Sequence, residues 1–149
     1  MEEKSMGIME EKSMEKIVKE MAEAEFDRFI ECMDLYFDTA EMDADDLTGF
    51  NKNKSRLVRA IQNASLVIND NGEAVFTPKN PKSKHQEPIV FHERSGVSLS
   101  AMDGKRKNHD VAKTYAVMGE MCKVHPKVFA GLVGNDIKVC ESLFILLMD

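Results

Sequence analysis

The 149 residues contain no tryptophan, two tyrosines, four prolines and three cysteines. Cys32, Cys122 and Cys140 are odd in number and widely spaced, which does not make a disulfide framework and fits a reducing compartment. Long apolar runs are missing too. The longest late one, Leu143 to Met148, covers six residues, where about 20 are needed to cross a bilayer. The N-terminus is rich in Glu and Lys with no apolar targeting segment, so a cytoplasmic location is expected. The eight glycines form neither G-x-G-x-x-G nor G-x-x-x-x-G-K-[ST], which argues against nucleotide hydrolysis. G-x-S-x-G and H-E-x-x-H are also absent, because His92-Glu93 is followed by Arg94 and Ser95 with no second histidine in register. An EF-hand loop starting at Asp43 would need Gly and Glu where Thr48 and Lys54 stand. No enzyme activity and no cofactor are expected.

What is present is an ordinary soluble composition, 43% hydrophobic and 31% charged. A chain of this length buries roughly two-thirds of its unfolded surface, enough for a core without metal or disulfide staples. The net charge of −6 conceals a division. Residues 1–50 hold 16 Asp/Glu and 5 Lys/Arg, a balance of −11, whereas residues 51–149 hold 10 and 15, a balance of +5. Such polarity lets the two parts attract one another, or lets an acidic arm meet a basic partner; a simply solvated acidic helix face is the plainer reading.

Met1-Glu-Glu-Lys-Ser-Met6 recurs as Met9-Glu-Glu-Lys-Ser-Met14, too short for a structural repeat. Residues 1–10 are expected to fray. From residue 11 to 38 there is no Gly or Pro, and Ile17, Met21, Phe26, Phe29, Ile30, Met33 and Phe37 recur largely at spacings of three and four. This predicts a long amphipathic helix of roughly 40 Å, longer than so small a domain is wide. Residues 39–50, with Asp43, Asp45, Asp46 and Gly49, read as a loop or single turn. A second helix over 52–64 follows, capped by Asn51 or Asn53. Leu66-Val67-Ile68, the turn Asp70-Asn71-Gly72 and Ala74-Val75-Phe76 predict a hairpin, and Ile89-Val90-Phe91 a third strand within 65–93. Between them, Thr77 to Pro88 reads as an exposed, mobile loop. The remainder, 97–149, returns to helix: a short element stopped at Gly104, a helix bearing Val111, Tyr115, Met118 and Cys122, a turn begun by Pro126, and a last helix capped by Asp136. The last helix is apolar on two stripes and belongs in a core or interface. The fold class is therefore α+β: one mostly helical domain with a small antiparallel hairpin or three-stranded sheet and a long N-terminal helix.

Three constellations are candidates for function. Cys122, His125, Cys140 and His109 could gather in space, but one tightly spaced pair is a poor metal site, and buried apolar thiols are the simpler reading. Lys79, Lys82 and Lys84, with Lys105-Arg106-Lys107, could bind phosphates, yet neither cluster is interleaved with aromatics and the acidic first fifty residues oppose a polyanion. Nucleic acid is not an expected partner, nor is a membrane. Six of the eleven methionines lie in the N-terminal region. Unbranched, polarisable side chains suit an adaptable docking strip, for which Ile17, Met21, Phe26, Phe29 and Met33 are the candidate partner-binding residues.

Pro88-Ile-Val-Phe91, Gly96-Val-Ser-Leu99, Met102-Asp103, Asp110-Val-Ala-Lys113, Pro126 and Asp136 through Phe144 resemble the tail assembly chaperones of long-tailed bacteriophages over about residues 65–149. The resemblance implies a non-enzymatic protein of the bacterial host cytoplasm, a homo-oligomer that binds the long helical tape-measure protein before tail tubes polymerise around it. It also implies no cofactor. The long acidic, Met-rich N-terminal helix departs from the family's commoner pattern, which keeps a structural virion tail component as an alternative. A small nucleic-acid-associated regulator is a second alternative, from another class.

Overall fold

Helix α1 (19–32) forms where Glu and Ala supply six of the fourteen residues and no glycine or proline interrupts. In the computed structural model, which describes residues 19–93 and 110–148, its stripe Ala22, Phe26, Phe29 and Met33 is buried. The helix stops at residue 32 rather than at the expected 38. Asp34 turns to φ +55°, its N–H donates to the Glu31 carbonyl (3.1 Å), and the Leu35 N–H reaches back to Ile30 O (3.0 Å). This is a Schellman closure made without glycine, which is why periodicity alone runs past it. The frayed segment expected over 1–10, the start of the long helix and the short element before Gly104 lie outside the described residues.

The acidic stretch expected to be a loop instead opens α2 (Ala44–Gln62). Asp43 is the N-cap, its Oδ1 accepting the Asp46 N–H at 2.7 Å. Asp45 and Asp46 occupy the first turn, where the helix dipole favours negative charge. Asn51 and Asn53 therefore lie inside the helix, eight and ten residues past the true cap. The second helix ends by the same device as the first: Ala64 adopts φ +64° and Ser65 N–H donates to Ala60 O at 3.1 Å.

The strands fall where alternation put them: β1 (Leu66–Ile68), β2 (Ala74–Phe76) and β3 (Ile89–Phe91). They form an antiparallel sheet in the order β1-β2-β3, with Val67, Val75 and Val90 in one cross-strand row. Leu66, Ile68, Ala74, Phe76, Ile89 and Phe91 face the core. Gly72 adopts φ +80° at the hairpin tip, and a Cβ built there would stand 2.2 Å from Cys32 Cβ. The glycine thus serves two needs, a left-handed turn and close approach to α1. Arg28 on α1 fastens the same corner, donating to the carbonyls of Ile68 (2.8 Å) and Asn69 (2.9 Å) while pairing with Glu25.

Helix α3 (Asp110–Cys122) again closes on a non-glycine residue, Lys123, at φ +56°. Pro126 then starts the short α4 (Lys127–Ala130), as its fixed φ favours. In α5 (Asn135–Met148) both apolar stripes are used: Val139, Cys140, Leu143, Leu146 and Leu147 are buried, and Ile137 and Phe144 pack against the core. α5 packs on α2, where Arg56 donates to the buried Ser142 hydroxyl and Ser142 donates to Asn53, both at 2.9 Å. The described chain is a mostly helical α+β domain with one small antiparallel sheet.

Two expectations about the middle of the chain change together. Asp136 does not cap its own helix; it is buried in the first turn of α5, and its carboxylate accepts from Lys79 N–H (3.1 Å), Asn80 N–H (3.0 Å) and Ser83 Oγ (2.7 Å). The Ser83 hydroxyl in turn accepts the Val133 N–H at 3.0 Å, and Lys84 N–H donates to Gly131 O at 2.9 Å. The Pro-flanked loop expected to be exposed is therefore stitched to the α4–α5 junction through its backbone. Prolines and lysines set its composition, but its backbone donors had to find acceptors, and one buried carboxylate supplies them.

Candidate docking surface

Helix α1 divides the expected docking strip in two. Phe26, Phe29 and Met33 are buried in the chain's own core, whereas Met21 is 62% exposed; Ile17 lies outside the described residues. The same i, i+3, i+4 spacing marks a core stripe and a docking stripe, and here the chain's own core has claimed most of it. Lys54 on α2 reaches across to Phe26, its Nζ 5.6 Å from the ring centroid. Among the described residues, the strip's free surface is reduced to Met21.

A different apolar surface is open. Tyr36, just beyond α1, is 84% exposed, and Ile145 on α5 is 49% exposed. A hollow of about 340 Å³ adjoins Tyr36, lined also by Leu35, Phe37, Glu93 and Leu147. A second, of about 460 Å³, lies between the first turns of α2 and the last turns of α5, lined by Met42, Asp45, Asp46, Phe50, Ile145 and Leu146 among others. Phe37 lines the first and Phe50 the second, and their rings are 5.0 Å apart. Leu147 and Leu146 are likewise neighbours in the chain. The hollows thus adjoin, with the aromatic pair as the ridge between them.

The chain segment that borders this surface is one-sided in charge. Residues 29–51 hold seven carboxylates, Glu31, Asp34, Asp38, Glu41, Asp43, Asp45 and Asp46, and no Lys or Arg. The helix dipole at the start of α2 stabilises Asp45 and Asp46 in place but leaves their outward charge available to a partner. Sequence reasoning missed the surface because it read 39–50 as a solvated turn. The available signal was Tyr36, Phe37, Met42 and Phe50 interleaved with the acids.

The other candidates resolve as follows. Cys122 and Cys140 are buried and Cys32 is exposed. Burial pushes both the Cys122 and the Cys140 thiol up, with the Cys122 sulfur adding to the effect at Cys140. His125 is exposed, its Nδ1 accepting the Lys127 N–H at 3.1 Å. Among the described residues no group of three or more His, Cys, Asp and Glu could hold a metal ion; His109 lies outside them. Lys79, Lys82 and Lys84 are exposed on the stitched loop, while Lys105-Arg106-Lys107 are not among the described residues. On the outer side of the sheet, His92 Nδ1 donates to Glu73 Oε2 at 2.5 Å, and Asn69 donates to Glu73 Oε1 at 3.3 Å. Partial burial pushes the Glu73 carboxyl up, but hydrogen bonds from His92, Asn69 and Asn71, with the attraction of His92, outweigh it and hold the carboxyl below its ordinary range. No described helix is long and apolar enough to cross a membrane. Compared with protein-family models, curated proteins and solved structures, the chain matches none of them.

Proposed function

We propose that this protein is a non-enzymatic assembly factor, a phage tail assembly chaperone that binds the helical tape-measure protein in the host cytoplasm. The observation that carries the reading is the order of the C-terminal half. A Pro-flanked apolar strand, β3, is followed by α3 and the Pro126 turn, and the chain finishes in α5, apolar on two stripes behind an aspartate. That is the order the resemblance implies for a tail assembly chaperone. The open hollows beside Tyr36 and Ile145, of mixed polar and apolar lining, support a binding role, since exposed aromatic and aliphatic side chains gathered around concave surfaces are how small proteins hold partners.

The test is co-expression with a long helical client of the tape-measure type, scoring soluble client and the size of the complex. A stoichiometric, soluble complex is the expected result. Client that stays insoluble, with this protein left uncomplexed, overturns the reading. Recovery in purified virions would assign the chain to the finished tail instead. The nucleic-acid alternative rests on the exposed Lys79, Lys82 and Lys84. It predicts salt-sensitive retention on DNA or RNA, abolished when the three lysines are replaced by glutamine.

A further inference from the structure

We infer that the hollow between the start of α2 and the end of α5 is a docking site for a basic amphipathic helix of a partner protein. The inference rests on the reading of the protein as a helix-binding assembly factor and names the chemistry of the helix. Phe50 and Met42 are half-buried, Leu146 is fully buried as the floor, and Ile145 stands half-exposed at the edge. An apolar stripe is needed to cover them, because leaving such side chains wet forgoes roughly 25 cal/mol for each Å² that could be buried.

The rim selects the charge. Among the lining residues Asp45 and Asp46 are ionisable and none is basic. The flanking chain adds Asp38, Glu41 and Asp43, all exposed, with no Lys or Arg between Arg28 and Lys52. A helix with Leu-like anchors on one face and Lys or Arg beside them satisfies both demands. An acidic helix of equal hydrophobicity would meet like charge at the rim and be rejected, which is specificity through repulsion as well as attraction.

The experiment uses the full chain and two fluorescent 18-residue synthetic probes, amphipathic helices of identical pattern, one of Leu and Lys and the other of Leu and Glu. Saturable binding of the Leu/Lys probe, weakened by salt, and no binding of the Leu/Glu probe are expected. Ile145→Ser, at an exposed position, should weaken the Leu/Lys probe about tenfold. Asp45→Asn with Asp46→Asn should do the same and flatten the salt dependence; both variants should keep the wild-type far-UV spectrum, Ile145→Ser also the wild-type melting temperature, while the Asn pair melts a few degrees lower because it loses two charges in the first turn of α2. Equal binding of both probes, or affinity untouched by either variant, overturns the inference. So does a concentration-dependent dimer that Ile145→Ser dissociates, because the occupant is then a second copy of this chain. Should the client of the co-expression test be solubilised equally well by both variants, the assembly reading stands and this docking site falls.

Discussion

Replacing Asp136 by alanine should be among the most damaging single changes available outside the apolar core. The residue is 3% exposed, and its carboxylate is the acceptor for two backbone N–H groups and one hydroxyl. Removing it strands three donors in a region where Ser83 is also buried. Each buried donor left unsatisfied costs about 1–3 kcal/mol, and hydrogen bonds to a charged acceptor lie toward the upper end. Full additivity is not expected, because Ser83 can rotate and water can reach the Lys79 and Asn80 amides once the loop lifts. About 3–4 kcal/mol is the working figure. In a domain of this size each kcal/mol moves the melting temperature by roughly 2–4 °C, so the loss amounts to about 10 °C. Urea denaturation followed by circular dichroism measures it directly. Ser83→Ala alone should cost about 1–2 kcal/mol, and the double variant less than the sum of the two, since both act through one network. A loss below about 1 kcal/mol for Asp136→Ala, or strict additivity with Ser83→Ala, would refute the claim that this carboxylate anchors the loop.

Three further outcomes are expected. Gly72→Ala should destabilise by about 2–4 kcal/mol in the same urea assay, since it combines the positive φ penalty with a collision against Cys32 Cβ and Sγ; Cys32→Ala should relieve it only in part, because it removes Sγ and leaves Cβ at 2.2 Å. Glu73 has a lowered carboxyl pKa in the folded state, so its contribution is fully present above the unfolded value near 4.5 and is lost as pH falls through the folded value. Glu73→Gln should accordingly flatten the fall of stability as the pH drops below about 4.5. Of the three thiols, Cys32 alone should react with Ellman's reagent in the native protein, with Cys122 and Cys140 appearing on unfolding in urea; fast native reaction of all three would show that α3 and α5 open readily.

What could be read from sequence was whatever a local rule dictates. The three strands and their Asn-Gly turn follow from alternation and from the φ that Gly72 supplies, and the burial of α5 follows from apolar residues on two stripes. The helix ends did not follow, because Asp34, Ala64 and Lys123 close three helices in the left-handed region without glycine. The start of α2 was hidden for a related reason. Asp43 is an ordinary N-cap, but three more acids within the surrounding stretch, and a glycine at 49, look like a turn until the downstream apolar residues are seen to continue one helix. Asp136 was beyond reach. Its role is set by residues more than fifty positions away, whose amides carry no sequence signature at all.

The candidate site shows the same limit in its sharpest form. Periodicity identifies which side chains of a helix leave water, but it cannot say whether they do so against their own chain or another. Phe26, Phe29 and Met33 belong to this protein's own core, together with residues of the other helices and the sheet, so a partner could use them only by prising α1 away. That would break the Arg28 contacts to Ile68 and Asn69 and uncover Gly72 against Cys32. A partner that binds without such opening has to use what is already uncovered among the described residues: Met21, Tyr36, Val67, Val133, Ile145 and the two hollows that meet at Phe37 and Phe50. The two routes differ in a measurable way. Binding at the preformed surface should leave amide protection in α1 and the hairpin unchanged or raised when client is added, whereas binding through the α1 stripe should lower it there. Hydrogen exchange with and without client distinguishes them, and loss of protection at Phe29 and Ile68 would return the docking strip to α1.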